Sequence, residues 1–424
     1  MKLLNIAFGL VLLGARGTAG QTLPPGAAAL PACAQITVRK EVRSLNPTEW
    51  QAYANAVAAA YTDKWIDWFG FYHNLVASNV HGNSNFLVFH RHYINSYEAI
   101  LRSYNPAISI PYWNAMIDYQ KPDKSAVLGS SYLGGDGTGS KNCVTTGIAG
   151  TWTLSYPKSH CLCRNFNNGT TINSWYSPEY ITSVLQKSAT YADLRAGIEN
   201  SIHGAVHLGI GGDMDTMHSP SDPVFFLHHV NIDRLYAQWQ AVKPDSRTYM
   251  YDGTGVNNAP VAITDFIRGT STPVSAVMRL GYGDMCYTYD TIKAANGDAS
   301  ALVKRQSKCI ARPNQATEQI KQLPPKVLEK FYPSFANGAA SPLENEMLSL
   351  HPLQPMGADP RAPLFKIPAP SERMRGKMPH PSKLSDEWIK MQGTSVAEVK
   401  AMEQAACDMV DALNKANYLS PYLF

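Results

Sequence analysis

After residue 20 no stretch approaches the roughly 18 consecutive apolar residues that a membrane-spanning helix needs, which argues against a span in the rest of the chain. Runs of lysine and arginine are also missing. With 37 basic against 33 acidic residues the net charge is +4, small for 424 residues, and nucleic-acid binding is not indicated. No CxxC pairs occur among the seven cysteines, so a thiolate zinc site is disfavoured. No internal repeat is visible. What remains is a chain with 45% hydrophobic and 10% aromatic residues, ample for a buried core, and long enough for one large catalytic unit with an appendage.

Residues 1–20 open with Lys2, continue through an apolar run and end on Thr18, Ala19 and Gly20 before Gln21, the pattern of a secretory signal peptide. The expected destination is extracellular. Cysteines suit that oxidising route: Cys161 and Cys163 compete for Cys143, and Cys286 with Cys309 makes a plausible pair, in a set that allows three bridges and one odd thiol. Asn168-Gly169-Thr170 is a glycosylation sequon in a polar loop.

The chemistry concentrates in histidines. His203 and His207 are four apart, so on a helix they project from one face at the separation that one metal ion needs from two imidazoles. A Gly-rich loop follows, and Asp222-Pro223 reads as the cap and first residue of a new helix carrying His228 and His229. Upstream, His73, His81 and His90 form a second trio, distributed over a helical stretch, a loop and a new apolar-periodic run. Two three-histidine sets on helices that follow loops point to two metal ions facing one another inside a helical bundle. Imidazoles without thiolate or carboxylate favour copper, zinc, iron or nickel over magnesium or calcium, and the absence of a carboxylate at ligand spacing counts against a di-iron bundle. A pair of three-histidine coppers is the economical reading.

The run from His203 to Gln240, with H-x3-H, IGGDM and SPSDPVFFLHH, resembles the second copper segment of the tyrosinase, catechol oxidase and haemocyanin family, and residues 73–98 resemble its first. The resemblance spans roughly residues 40–290 and is similar above all to the short secreted fungal members. It implies that His73, His81 and His90 bind one copper and His203, His207 and His229 the other, with His228 as a neighbour supporting the ligands and His92 and His218 as bystanders. It implies a mainly α fold: a four-helix-bundle dicopper core with long irregular loops and a helical, Pro-rich C-terminal extension. The expected boundaries are a signal peptide over 1–20, an oxidase domain over 21–289 closed by Tyr287-Thr288-Tyr289, and an extension over 290–424.

Within that frame Glu199, four residues before His203, is the candidate base for a phenol proton. Phe225 matches a family aromatic that packs over the metal pair, and Leu208 presents an apolar side to an arene. Arg91 and Asp233 are candidates for hydrogen bonding that orients the ligands. Two departures matter. The family asparagine after the first ligand of the second site, associated with hydroxylating monophenols, is here Gly204. The cysteine that forms a thioether to the second histidine in many fungal members is here replaced by Asn79. Together these point to a copper oxidase that converts o-diphenols to o-quinones with O2, with little monophenol hydroxylation. The alternatives are a full tyrosinase, an o-aminophenol oxidase, and a haemocyanin-like oxygen carrier. The expected partners are a small phenol and O2.

From Asn46 the pattern gives a cap, a proline at the first helical position and an acid at the third. A helix follows that buries Trp50, Tyr53, Val57 and Tyr61, and Trp65, Trp68 and Phe69 are expected in the core. Residues 119–175, rich in Gly, Ser, Asn and Thr, read as a long irregular insertion fixed by disulfides. Ser395 to Glu398 reads as a capping box before a helix bearing Val399, Met402, Met409, Val410 and Leu413. This tail docks permanently or serves as a removable lid; its Pro-rich middle favours a permanent extended wrap.

Overall fold

Helix α1 (Pro47–Thr62) begins where the sequence places it. The Asn46 side chain accepts the Glu49 N–H while Glu49 reaches back to the Asn46 N–H, so two otherwise unpaired donors are satisfied reciprocally. The computed structural model describes residues 23–292, 315–344 and 376–422, apart from 28 and 342. The signal-peptide segment, Cys309 and most of the Pro-rich middle of the tail lie outside the described residues.

After α1 come α2 (Trp65–Val80) and α3 (Asn85–Tyr104), then the insertion, then α4 (Pro178–Lys187), α5 (Tyr191–Ile198), α6 (Gly204–Ile210) and α7 (Val224–Val242). Four helical segments, α2, α3, α5 with α6, and α7, turn their inner faces to one another, with α1 packed on α2 and α3. Between α5 and α6 the chain does not run as one α-helix: Glu199–His203 is a π turn, in which the Gly204 N–H reaches back to the Glu199 carbonyl. Such single-turn widenings are frequent at functional sites. Helix α7 starts one residue later than expected, at Val224. Pro223 rather than Asp222 is therefore its N-cap, although Asp222 Oδ1 accepts the Val224 N–H at 2.9 Å from one residue further back.

Trp50 and Tyr61 are only half-buried, whereas Tyr53, Val57 and Phe69 are core. Trp68 departs from expectation: it is 45% exposed, stacked on Tyr72 rather than enclosed, because this face of α2 meets solvent.

Strand β1 (Thr37–Arg39) pairs in parallel with β4 (Tyr287–Tyr289), which carries the N-terminal segment to the far end of the catalytic unit. That pairing explains the correction to the cysteine reading. Cys286 is bonded to Cys33, not Cys309, since β1 sits beside β4. Arg39 is fully buried, pairs with Glu98 and lies over the Tyr287 ring at 3.4 Å. The hydroxyls of Tyr287 and Tyr289 both donate to Asp233 Oδ2, and Arg91 donates to its Oδ1, so one carboxylate ties β4, α3 and α7 together.

The insertion is largely irregular, as expected. Its order comes from the Cys143–Cys161 disulfide, the short hairpin β2 (Thr153–Leu154) with β3 (His160–Cys161), and Arg164. That guanidinium is fully buried against Asp222 and the Gly134 carbonyl, which ties the insertion to the start of α7. Cys163 and Cys407 are unbonded.

In the tail, a helix over Asp386–Met391 and a long one over Val396–Lys415 follow the cap at Ser395, whose side chain accepts the Glu398 N–H. The long helix buries Val399, Met409, Val410 and Leu413, while Met402 is half-buried. Tyr418 donates to the buried Glu179 at 3.0 Å, and Phe331 accepts the Ser183 hydroxyl at 2.6 Å, so α4 is the tail's main seat. Among the described residues no helix is long and apolar enough to cross a membrane.

Candidate metal centre

Six imidazoles from the two sequence clusters converge in the bundle interior, and none is more than 4% exposed. His73 comes from α2, His81 from the residue that ends it and His90 from α3. His203 comes from the π turn, His207 from α6 and His229 from α7. Within each trio the candidate ligand atoms lie within 4.8 Å of one another. The trios face each other: the His90 and His229 rings stack at 4.4 Å, and the His81 and His203 rings lie 6.1 Å apart.

Hydrogen bonding sets which nitrogen each ring offers. Nδ1 of His73 meets the Met217 carbonyl at 2.7 Å, that of His81 the Ala77 carbonyl at 3.0 Å and that of His90 the Phe86 carbonyl at 2.8 Å. In the second trio Nδ1 of His203 meets the Glu199 carbonyl at 3.2 Å and that of His207 the Met214 carbonyl at 2.6 Å. A carbonyl only accepts, so these five rings carry their proton on Nδ1 and present the Nε2 lone pair inward.

This pattern tests whether a metal fits. Nε2 of His73 is 3.2 Å from Nε2 of His90, and Nε2 of His207 is 3.3 Å from Nε2 of His229. Between His73 and His90 the carbonyl partners leave no proton to share, so two lone pairs face each other across a buried gap. Nε2 of His203 and Nδ1 of His229 have no hydrogen-bond partner. Buried Nε2 lone pairs left facing one another or alone are costly, and a cation held between them removes the cost, whereas Nδ1 of His229 then carries that ring's proton and stays unpartnered. Burial, above all, keeps the rings neutral: His73 is pushed down to about 3, His81 to about 4 and His207 to about 3. Neutral imidazole is the ligating form.

The other singled-out residues fall at different distances from this centre. Phe225 stacks on His229 at 4.0 Å and meets the His73 ring edge-on at 5.3 Å. Glu199 is buried beside both clusters, its Oε1 accepting the Gly82 N–H at 2.7 Å and its Oε2 paired with Arg195 at 3.1 Å. Burial pushes this carboxyl up to about 7, against the pull of Arg195 and of the Gly82 N–H. His228 lies parallel to His203 at 5.8 Å. The partners of Arg91 and Asp233 are each other, Arg39, Gln240, Tyr287, Tyr289 and the Val277 and Met278 carbonyls rather than imidazole nitrogens, so their hold on the ligands runs through the packing of α3 on α7. Asn168 is exposed.

Gly204 and Leu208 meet the tail. A Cβ on Gly204 would come within 2.9 Å of Leu384 and 3.0 Å of Trp388, and Leu208 packs against the cluster those two form with Ile389 and Val399. The Trp388 ring is 5.3 Å from the His207 ring and 6.4 Å from that of His203. Gly82, after His81, has a left-handed φ of 68° and faces the Gln392 carbonyl so closely that a Cβ would stand 2.5 Å from it.

Sequence reasoning missed several of these residues. Phe86 touches four of the six rings, and its signal was only that of a core aromatic. Trp388 is nearly two hundred residues away from its neighbours and carried no signal. His218, a bystander by the family resemblance, joins His160 and Asp213 in a third group of potential ligands.

The common central domain of tyrosinase matches residues 41–242. A tyrosinase of Aspergillus flavus is 31% identical over 321 residues, covering 68% of this chain and 87% of the relative. A tyrosinase of Streptomyces glaucescens is 28% identical over 235 residues, covering 50% of this chain and 85% of the relative. Among solved structures, a variant of the polyphenol oxidase of Thermothelomyces thermophila, 21% identical, covers 60% of this chain and 88% of that one with a TM-score of 0.47.

Proposed function

Because this chain belongs to the tyrosinase family, whose members hold a dinuclear copper centre and oxidise phenols with O2, we propose that it is a secreted o-diphenol oxidase with weak or absent monophenol hydroxylation. His73, His81 and His90 hold one copper and His203, His207 and His229 the other; the facing Nε2 atoms support this assignment. When bound, the copper pair supplies the two-electron redox capacity that links oxidation of two diphenols to two o-quinones with reduction of one O2 to two waters.

The residues do the rest. Carbonyls fix the tautomers of five rings, and Phe225 and Phe86 close the surroundings with apolar surface that keeps water away from the reacting groups. The preference for diphenols is carried by one observation. Both oxygens of Glu199 are engaged, by Gly82 and Arg195, and the position after His203 is Gly204, which brings no acceptor of its own. A monophenol must be deprotonated and oriented on one oxygen alone, whereas a diphenol brings a second, more readily lost proton and a second point of attachment.

Residues 290–424 form an extension to the oxidase unit 21–289; its described parts seat on α4 and on the Gly204 face and are a lasting part of the fold. Secretion accords with the two disulfides. The deciding measurement is oxygen uptake with catechol, tyrosine and o-aminophenol side by side. Rapid uptake with catechol and little with tyrosine is expected. Comparable rates with tyrosine would make it a full tyrosinase, faster uptake with o-aminophenol an aminophenol oxidase, and reversible oxygen binding without turnover a carrier.

A further inference from the structure

Loop 211–221 lies between the copper trios and the disulfide-closed insertion. Two of its carbonyls already have a use, since Met214 accepts from His207 and Met217 from His73, one proposed ligand from each metal. Flanking these carbonyls are Asp213 and His218, and opposite them, on β3, is His160.

These three side chains are arranged around one point. Nε2 of His160 is 2.9 Å and Nε2 of His218 3.2 Å from the same carboxylate oxygen, Asp213 Oδ1. The rest of each group is held from behind. Nδ1 of His160 meets the Lys158 carbonyl at 2.7 Å, which puts its proton there and leaves Nε2 as a lone pair. Asp213 Oδ2 accepts the Cys163 N–H at 2.8 Å, so only Oδ1 is left to face the rings. A lone pair facing a carboxylate oxygen is repulsive unless the imidazole gains a second proton or a cation sits between them. The spacing suits a cation. Bonds of about 2.0–2.1 Å in a tetrahedral site put neighbouring ligand atoms about 3.3 Å apart, close to the separations seen. The His160 and His218 side chains are 24% and 17% exposed, enough for an ion to enter and for water to complete the shell.

We propose that His160, Asp213 and His218 form a third metal site, distinct from the copper pair, that takes a single divalent transition cation of the zinc class. Two imidazoles and one carboxylate, with a position left for water, are a donor set that zinc accepts readily. The bound ion clips β3 to loop 211–221 and thereby braces the Met214 and Met217 carbonyls that orient His207 and His73. The bracing rests on the copper-ligand assignment; the site itself does not.

The test uses the full chain loaded with copper, titrated with zinc chloride and then analysed for both metals. One zinc per chain is expected, with both coppers retained. His160→Ala, on β3 and outside both histidine trios, is expected to weaken zinc binding by more than about a hundredfold, beyond the range seen when only a supporting partner is lost, and to keep its copper. Asp213→Asn retains an acceptor for the Cys163 N–H and is expected to lose zinc as well. No zinc bound, zinc bound equally by the parent and both variants, or zinc taken up only as copper leaves would each overturn the site. Zinc is also expected to slow copper loss to a chelator in the parent but not in His160→Ala; equal rates would overturn the bracing. Low copper with normal zinc binding would count against the copper assignment alone.

Discussion

In the first histidine trio every Nδ1 reaches a carbonyl within 3.0 Å, two of them four residues back along their own chain, at Ala77 and Phe86. In the second, His229 has no partner for Nδ1, and His203 reaches at 3.2 Å a Glu199 carbonyl that also accepts the Gly204 N–H. The first trio is therefore held largely by hydrogen bonds that form with its helices. In the second only His207 has a short bond of this kind, to the Met214 carbonyl at 2.6 Å, and rings supply the rest: Phe225 on His229, Phe86 against His203, and the tail's Trp388 beside His207. Two sites with the same donors thus draw rigidity in different proportions from these sources, and among the described residues only the second has an aromatic ring of the C-terminal tail beside its imidazoles.

The largest effect that challenges this contrast is loss of a ligand. His90→Ala and His203→Ala are each expected to lose copper and to depress catechol-dependent oxygen uptake by more than the roughly 100-fold upper range for a supporting partner. Copper content and oxygen uptake, measured on both, check it; full turnover by either variant removes the corresponding site. Phe225→Ala comes next. Deleting a fully buried phenyl costs about 3–5 kcal/mol, seen as a lower denaturation midpoint. If the second trio relies on ring packing, its copper leaves to a chelator faster than that of the first. A single common rate for both coppers would erase the distinction.

Gly204→Asn acts on the tail. Its new side chain has no room beside Leu384 and Trp388, and overpacking of this kind costs about 1–3 kcal/mol, which displacement of the tail would relieve. Faster proteolysis of residues 376–395 is expected, together with a gain in tyrosine hydroxylation relative to catechol oxidation. An unchanged cleavage pattern would show that the tail does not press on this face.

The sequence made the helices and the six histidines legible because each rests on local signals: the Asn46 capping box, the four-residue spacing of His203 and His207, and the Ser395 cap. What it hid depends on tertiary approach. The π turn at Glu199–His203 shows no local breaker. The Cys33–Cys286 bridge follows from β1 lying beside β4, a pairing of three residues with 250 between them. The Met214 and Met217 carbonyls carry no residue-type signal at all, and Trp388 reaches His207 only through the fold of the tail. His218 read as a bystander because its partners, His160 and Asp213, come together only when the insertion closes on loop 211–221.

The smallest expected effect concerns how firmly the tail is seated. Glu179 is fully buried under it, and burial, against the pull of hydrogen bonds from Ser420, Ser177 and Tyr418, raises its carboxyl above the ordinary range. In the unfolded chain the group ionises near its usual value of about 4.3, while in the fold it keeps its proton to higher pH. The folded state therefore binds more protons in that window, and stability is highest below it and falls as the pH rises through it to the raised value. Glu179→Gln retains an acceptor for Tyr418 but cannot ionise. Its melting temperature should match the parent at pH 4 and exceed it at pH 8 by about 1 °C, the shift that about 1 kcal/mol produces in a chain of this length. If the tail steadies the second trio as its Trp388 contact implies, the same variant should hold its second-site copper longer at pH 8. Parallel melting curves across the whole range would instead mean that Glu179 is already ionised beneath the tail, and that docking does not weaken as the pH rises.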